Sequence, residues 1–445
     1  MVTGFLLDVF REHAADEAVV AGDRSFTYGQ LLEAVAAARA SLERAGAGPG
    51  SVVSLEDDFS PGGIAGLLAI LGLDAVAVPL VPASEFAGPH SLRVAQVEWR
   101  AAPAGSALRL EATGTTADHP LYAALRAQGH PGLVLFTSGS TAEPKGVVHD
   151  CARLLGKYRV RRHRLRTLMF LLFDHIGGMD TLLQALANAS TVVIPADRTP
   201  EGVCACIARH RVEVLPASPS FLSMVLLSEA HLRHDLSSLR YITYGAEVMP
   251  PATLARLVAA FPGVKLLQKY GITEVGTMRS QSRANDSLWV RVGGEGYRTR
   301  VVDGLLEIRA ESSMLGYLNA PSPFTPDGWF RTGDAVEVDG DYLRILGRAS
   351  DLVNVGGQKV YPAEVEAVIM ELEGVREVAV TGERHPLTGQ IVVARVALSR
   401  PEDPRELERR VRAACRARLA PHKVPVRVTI APGPLHTERS KTVRR

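Results

Sequence analysis

The sequence predicts an α/β protein in which a large domain of parallel sheets and a small β-barrel precedes a smaller α+β domain. From about residue 26 to residue 280, short apolar segments alternate with helix-like segments, which is typical of largely parallel sheets. Between about 286 and 346 the segments are short strands joined by Asp-Gly and Gly turns, which favours a small β-barrel or an antiparallel sheet. After Arg348, strands and helices mix again.

Individual elements follow from local patterns. The stretch FTYGQLLEAVAAARASLERAGA, which starts at Phe26, predicts an amphipathic helix ended by glycine. The apolar stretch GGIAGLLAILGLDAVAVPLVPA is interrupted by Asp74 and Pro79, so it predicts a helix, a turn and a strand and not a membrane span. Further strands are predicted for the short segments SVVSLE, LVLF, TVVIPA, VEVLPASP and YITYGAE.

The change of pattern near Arg348 predicts a domain boundary. We expect one domain at residues 1–346, a connection at 347–351 and a second domain at 352–445. In the second domain, VYPAEVEAVIMEL predicts a helix, and EVAVTGE and QIVVARVAL predict strands.

Composition restricts the class of partner and the compartment. Hydrophobic residues make up 46% of the chain and charged residues 22%, as in ordinary globular proteins. The net charge of +2 does not favour bulk nucleic-acid binding. Four cysteines are too few for a disulfide framework, and no basic segment precedes an apolar one at the N-terminus. We therefore expect a cytoplasmic protein that binds neither nucleic acid nor membrane.

The stretch LVLFTSGSTAEPKGVVHD begins as a buried strand and continues as a loop of hydroxyls, glycine and one lysine. Backbone N–H groups, hydroxyls and a cation together suit a polyphosphate, although a plain surface turn is the alternative. The loop is not a common P-loop, because Gly-Lys-Ser/Thr is absent. The candidate phosphate-binding residues are Thr137, Ser138, Gly139, Ser140, Thr141 and Lys145.

Four further stretches accompany this loop: YGAEVMP at 244–250, YGITEVG at 270–276, GWFRTGD at 328–334 and GRASDLVNVGGQKVYPAEVE at 347–366. In order and spacing, the five motifs resemble those of the adenylate-forming superfamily. That superfamily groups acyl- and aryl-CoA synthetases, adenylation domains of peptide synthetases and firefly luciferase. The resemblance runs from about Phe26 to the C-terminus, and the motif style is most similar to stand-alone acyl- and aryl-CoA synthetases.

The resemblance implies that the chain makes an acyl-AMP from a carboxylic acid and ATP, with release of pyrophosphate. It places the hydroxyl-rich loop against the phosphates, together with Thr273, and Glu274 on Mg²⁺, a hard cation that prefers oxygen ligands. It places Asp334 on the ribose hydroxyls, since a carboxylate accepts from two hydroxyls at once. The remaining implied nucleotide contacts are Gly245, Ala246, Glu247, Tyr270, Gly271 and Arg348.

The tail PLHTERSKTVRR resembles the closing motif of the superfamily and places Lys441 between the substrate carboxylate and the α-phosphate. Two anions must approach each other there, and a cation neutralises both. Ser440 stands where the superfamily usually has Gly, and Arg439 and Arg444 compete for the same role.

The resemblance also implies that the small domain moves between an adenylating pose and a thioester-forming pose. The hinge falls on Ser350, where relatives usually have Asp or Lys, with Asp351 beside it. In the second pose, Gly356 and Gly357 would line the path of the pantetheine arm, because two glycines let a backbone approach a narrow ligand.

By resemblance, the acyl pocket is lined by Phe173, Asp174, His175, Tyr244 and Gly276, with His175 as its gate. An aryl or acyl acid is the favoured substrate class. Alternatives are an amino acid held by Asp174, an unusual activated group or nucleophile, and a non-catalytic nucleotide-binding role. No carrier domain follows Lys441, so we expect the acceptor, CoA or a phosphopantetheinyl carrier protein, to come in trans. The basic run RVRRHRLR at 159–166 is either a solvated face or a docking site for a phosphorylated acceptor. A biosynthetic pathway for specialised metabolites is expected.

Overall fold

A computed structural model describes residues 2–137, 143–433 and 435 of the chain. Two seven-stranded sheets, a six-stranded sheet and a two-stranded ribbon form the part before residue 349, and a five-stranded sheet follows it. The architecture is mixed α/β, as the sequence predicts.

In the first seven-stranded sheet every neighbouring pair is parallel except the pair at one edge. Its strands are, in spatial order, Lys265–Gln268, Tyr241–Tyr244, Val214–Ala217, Thr167–Leu168, Val192–Ile194, Glu17–Ala21 and Arg24–Thr27.

In the second seven-stranded sheet the central strands are parallel and the strands toward both edges are antiparallel. Its strands are, in spatial order, Gly316–Tyr317, Lys145–Asp150, Gly132–Thr137, Val76–Leu80, Val52–Glu56, Trp99–Ala104 and Ala107–Ala112.

Helices cover these sheets and begin where the sequence offers a cap. Thr27 and Gln30 form a capping box at the start of Tyr28–Ala45, and Gly46 ends that helix with a φ of +96°. The α-helices are Gly4–Glu12, Tyr28–Ala45, Pro61–Gly72, Pro89–Val94, Pro120–Gln128, Cys151–Leu154, Ile176–Ala187, Pro200–His210, Pro219–Leu227, Ala230–Arg233, Pro251–Ala260, Pro362–Ile369 and Pro404–Arg418. Short 3₁₀ helices span Gly156–Arg159, Ala349–Asp351 and Pro421–Lys423.

The third sheet is antiparallel throughout. Its outer strands, Arg279–Ser282 and Tyr297–Val302, each pair along their length with one neighbouring strand. The sheet is curled, because Tyr297 also forms a β-bridge with Gly294, directly after the strand Val290–Gly293. The structure therefore has the small antiparallel β-unit that the sequence predicts for this region. In order, the strands are Arg279–Ser282, Val290–Gly293, Tyr342–Arg348, Phe330–Asp339, Leu305–Ala310 and Tyr297–Val302; the separate ribbon pairs Gly271–Ile272 with Gly276–Thr277.

The C-terminal part has a hydrophobic core of its own, which includes Val360, Val380, Leu407 and Val411. Two helices, Pro362–Ile369 and Pro404–Arg418, contribute to that core. The strands of this part are Val353–Val355, Gln358–Val360, Val375–His385, Gly389–Leu398 and Arg427–Ile430.

Candidate membrane-spanning helices and clusters of metal ligands are both absent from the described residues. In the described part of the chain, no helix has both the length and the apolar character that a membrane crossing needs. Within the same residues, no group of three or more His, Cys, Asp or Glu side chains is arranged to hold a metal ion. The four cysteines are buried and free.

Candidate active site

Two cavities adjoin each other at the carboxyl ends of the first sheet. The large cavity, of about 700 Å³, lies between the part before residue 349 and the C-terminal part. The small cavity, of about 330 Å³, extends from it beneath the helix Ile176–Ala187. Both are lined by His175, Ile176, Ala246, Lys269 and Gly271, so these residues form the junction between them.

The large cavity collects residues from every predicted motif that the structure describes. Motif residues that are more than a hundred positions apart in the sequence share its wall. The predicted site residues that line it are Thr137, Lys145, His175, Ala246, Glu247, Tyr270, Gly271, Thr273, Glu274, Asp334, Arg348 and Ser350.

One wall of the large cavity is built around the Asp334 carboxylate. Asp334 and Arg348 are cross-strand partners, and Arg348 Nε lies 2.8 Å from Asp334 Oδ1. The Tyr270 hydroxyl donates to the other oxygen, Oδ2. Burial raises the pKa of the Asp334 carboxyl, and the facing guanidinium opposes that rise. The wall thus presents a fixed acceptor beside a flat aromatic ring.

A second wall carries Glu274. The Tyr317 hydroxyl donates to Glu274 Oε1 at 2.7 Å, and Lys145 Nζ lies 5.4 Å from the centre of the Tyr317 ring. Tyr317 is brought there because its short strand pairs with Lys145–Asp150. A single carboxylate with one oxygen held by a hydroxyl fits Mg²⁺, which keeps several waters and takes its other ligands from substrate phosphates.

The loop that carries Thr273 and Glu274 is held from below by a buried histidine. His149 Nε2 lies 2.7 Å from the carbonyl oxygen of Thr273. Burial lowers the pKa of His149 to about 4, so the ring is neutral near pH 7 and its N–H donates to that carbonyl. Sequence reasoning missed His149, although a histidine inside an apolar strand beside a phosphate loop was a visible signal.

The predicted adenine segment divides between the cavities. Glu247 Oε2 accepts from the backbone N–H of Ser220 at 3.1 Å and from its hydroxyl at 2.6 Å, which fixes this carboxylate in the large cavity. Gly245 lines the small cavity instead. A Cβ at Gly245 would stand 2.6 Å from the Lys269 carbonyl oxygen, so only glycine fits there.

The structure places the predicted acyl-pocket residues in different surroundings. His175 and Tyr244 line the small cavity. Phe173, Asp174 and Gly276 line neither cavity. This corrects the expectation for these three residues. The physical reason is that Phe173 and Asp174 are buried in the protein interior, whereas the next residue, His175, lies at the cavities. His175 caps the helix Ile176–Ala187 through a bond from the Gly177 N–H.

The two residues before that cap, and Gly276, do not face the cavities. The Phe173 ring is fully buried and packs edge-on against Phe59 at 5.2 Å. Asp174 is 2% exposed. A Cβ at Gly276 would face Leu154 at 3.5 Å, away from the cavities. Beside His175 and motif residues such as Tyr244, the small cavity is lined by residues that lie outside the five motifs, including Arg162, Asp180, Gln184, Tyr241 and Lys269.

The C-terminal part closes the large cavity with one helix and one strand. Pro362, Glu366 and Met370 face the cavity, with Glu377 from the strand Val375–His385. Glu377 Oε2 accepts from the Leu435 N–H at 2.6 Å, so the last described residue of the tail is fixed at the cavity wall. Lys441 and Ser440 lie outside the described residues, as do Ser138, Gly139, Ser140 and Thr141.

The predicted hinge lines the large cavity, and the double glycine does not. Ser350 and Asp351 line the large cavity, and the Ser350 hydroxyl donates to Asp351 Oδ1 at 3.1 Å. Gly356 and Gly357, with φ of +58° and +85°, form an exposed turn that lines neither cavity. In this pose Leu435 is bonded to Glu377 of the cavity wall, whereas the glycine turn forms no part of that wall.

Similarity to known proteins agrees with this geometry. Residues 8–93 and 87–305 match the profile of the AMP-binding enzyme family, and residues 364–441 match the AMP-binding enzyme C-terminal domain. A long-chain-fatty-acid–CoA ligase of Mycobacterium tuberculosis is 30% identical over 323 residues, which cover 67% of this chain and 63% of the relative. An indoleacetate–CoA ligase of Aromatoleum aromaticum is 31% identical over 325 residues, with 67% of this chain and 63% of the relative covered.

The match thus spans less than two thirds of the length of these relatives. The crystal structure of the anthranilate–CoA ligase AuaEII in complex with anthranoyl-AMP superimposes with a TM-score of 0.81 at 21% identity, over 99% of this chain and 95% of that one. The resemblance read from the motifs is confirmed, and the chain belongs to the AMP-binding enzyme family, the adenylate-forming superfamily.

Proposed function

We propose that the protein adenylates a small carboxylic acid with ATP, releases pyrophosphate and passes the acyl group to a thiol, forming a thioester. The observation that carries this proposal is the large cavity. It is lined by Lys145, Tyr270, Glu274, Asp334 and Arg348 together. An aromatic face, a ribose acceptor, a metal-ligating carboxylate and a cation are the groups that a magnesium nucleotide requires.

Each group has a defined part in binding the nucleotide. The Tyr270 ring, with Ala246 and Glu247, would hold the adenine, and Asp334 with Arg348 would hold the ribose diol. Lys145 and the loop that follows Thr137 would hold the phosphates, with Thr273. Glu274 would hold Mg²⁺, which when bound neutralises phosphate charge and orients the leaving pyrophosphate.

The acid would enter the small cavity and place its reacting carboxylate at the junction. His175 stands there, on both cavities, and is the gate that the sequence predicts. The α-phosphate would reach the same junction, so that acid and nucleotide would meet at the distance that bond formation needs.

The C-terminal part would supply Lys441 to that junction. The Leu435–Glu377 hydrogen bond supports this, because it fixes the chain six residues before Lys441 at the cavity wall. Movement of residues 352–445 about Ser350, within the connection 347–351, would then bring Gly356 and Gly357 to residues 1–346 for transfer to pantetheine. CoA is the acceptor that the names of the relatives favour.

Other assignments have less support. The amino-acid alternative relied on Asp174, which lines neither cavity. A carrier protein in trans, an unusual nucleophile and a non-catalytic role remain alternatives. A cytoplasmic place in specialised-metabolite biosynthesis stays a prediction from sequence.

The test is ATP–pyrophosphate exchange with pooled aryl acids, fatty acids, dicarboxylic acids and amino acids. Exchange in an aryl or acyl pool, followed by thioester formation with CoA, is the expected result. Exchange confined to amino acids would overturn the substrate class. Silence in every pool from a protein that still binds ATP would overturn the catalytic role.

A further inference from the structure

The small cavity contains an unusual balance of charge. It is lined by two cations, Lys269 and Arg162, and one carboxylate, Asp180. The rest of its wall is largely apolar or neutral, with Leu171, Val214 and Leu267 among the lining residues; Arg162 and His163 stand at the exposed end of the cavity. A low-polarity wall makes each uncompensated charge inside it costly.

Asp180 acts on Lys269, but it is shared with other groups and one carboxylate cannot balance every cation near the small cavity. Lys157 Nζ donates to Asp180 Oδ1 and also to the Thr277 carbonyl oxygen at 2.7 Å. The Tyr158 hydroxyl donates to the same carboxylate oxygen at 2.7 Å. One carboxylate thus stands among three cations, Lys157, Lys269 and Arg162, which leaves an excess of positive charge.

Lys269 lines both cavities, and its backbone is fixed by the Lys269 N–H, which donates to the Tyr244 carbonyl oxygen at 2.7 Å. The charges that act on its ammonium are those of Asp180, Lys157 and Arg162. Burial lowers the pKa of Lys269, Asp180 raises it, and the two neighbouring cations lower it. A second anion beside the ammonium would oppose the lowering by burial and by the cations.

We propose that the acid bound in the small cavity carries a second anionic group, a carboxylate or a sulfonate, which pairs with Lys269. Arg162 at the exposed end attracts the same group as it enters. This inference rests on the proposed function and specifies its substrate as a dianionic acid. A cavity of about 330 Å³ is at the small end for ligand sites and suits a compact diacid.

Matched acids test the inference in the unmodified enzyme. Terephthalate and succinate are compared with their monomethyl esters, which remove one charge and add one methyl group. The diacids would form a charge pair with Lys269 that has restricted access to water, and the monoesters would not. We therefore expect kcat/KM in ATP–pyrophosphate exchange to be at least about tenfold higher for the diacids. Equal or better exchange with the monoesters would overturn the inference.

Variants then connect the preference to the residue. Lys269→Met should remove the diacid preference while KM for ATP stays within about twofold, and Lys269→Arg should retain most of it. Loss of exchange with all acids alike in Lys269→Met would overturn the inference, because the lysine would then act on the reacting carboxylate. If Lys269→Met does not fold, Lys269→Gln takes its place.

A binding measurement separates failure of this inference from failure of the proposed function. Thermal shift of the enzyme with terephthalate alone should show stabilisation that Lys269→Met lacks. Such a shift without any pyrophosphate exchange would support the dianion site and overturn the adenylation. Absence of the shift, with exchange of monoanionic acids intact, would overturn the dianion site and support the adenylation.

Discussion

The large and small cavities share a wall but are encoded in the sequence in different ways. The large cavity takes its polar groups from contiguous motifs, such as Thr273 and Glu274 in YGITEVG. The small cavity takes single residues from many separate segments, among them Arg162, Asp180 and Lys269. A nucleotide presents the same groups in every case, whereas acids differ, so only the first kind of cavity leaves a recognisable pattern in the sequence.

The largest effect is expected where both cavities need the same group. Lys441→Ala should lower ATP–pyrophosphate exchange by roughly a hundredfold or more, as expected for loss of a preorganised charge in a closed site. The control Lys359→Ala removes an exposed lysine from the same part of the chain and should keep exchange near the unmodified rate. A comparable loss in Arg439→Ala or Arg444→Ala instead would transfer the role to that arginine.

Thioester formation, the second half-reaction, tests whether the C-terminal part adopts a second pose besides the one described here. Gly357→Trp should leave pyrophosphate exchange intact and lower thioester formation by about a hundredfold, because bulk in the pantetheine path misplaces the thiol. Gly357→Ala is the matched control, since it carries the same backbone strain at φ +85° without the bulk. Equal loss of both half-reactions in the Trp variant would contradict the two-pose interpretation.

The variant Asp334→Asn tests nucleotide binding in the large cavity separately from acid binding in the small cavity. The variant keeps the shape but loses the charged acceptor, so KM for ATP should rise by about tenfold to thirtyfold. The ranking of acids should stay unchanged, which is the opposite of the result expected for Lys269→Met. Asp339→Asn, at the exposed end of the same strand beside Arg283, is the control and should change KM by less than about twofold. A reordered ranking of acids in Asp334→Asn would show that the two cavities are not independent.

The smallest effect concerns the orientation of the metal ligand. Tyr317→Phe removes the hydrogen bond to Glu274 and keeps the ring beside Lys145, so the Mg²⁺ concentration for half-maximal exchange should rise about fivefold. Tyr342→Phe, whose ring lies 4.4 Å from the Arg283 guanidinium carbon in the third sheet, is the control. An unchanged Mg²⁺ requirement would mean that Glu274 needs no support or is not the ligand.

Local sequence patterns were sufficient to predict much of the fold and the motif residues that line the large cavity. The helix Tyr28–Ala45 was predictable because its periodicity, its Thr27 cap and its Gly46 end all lie within one stretch of chain. The motif residues were predictable because each combines a chemical group with a fixed spacing to its neighbours. Asp334 and Arg348 were assigned to one site through the resemblance of their motifs to those of the adenylate-forming superfamily.

Contacts across long separations were not predictable in this way. The bonds from His149 to Thr273 and from Tyr317 to Glu274 join residues 124 and 43 positions apart. Whether the third sheet closes depends on pairing between strands that share no local signal.

By itself, the sequence determined the family, the alternation of elements and the groups that would meet a nucleotide, because these depend on residue type and local spacing. Only the tertiary structure decided that His175 lines both cavities while Phe173 and Asp174 line neither, and that Lys269 stands where cations outnumber carboxylates. The reason is physical: the direction of a side chain and the charges around it depend on which distant segments pack against it, and no local pattern carries that information.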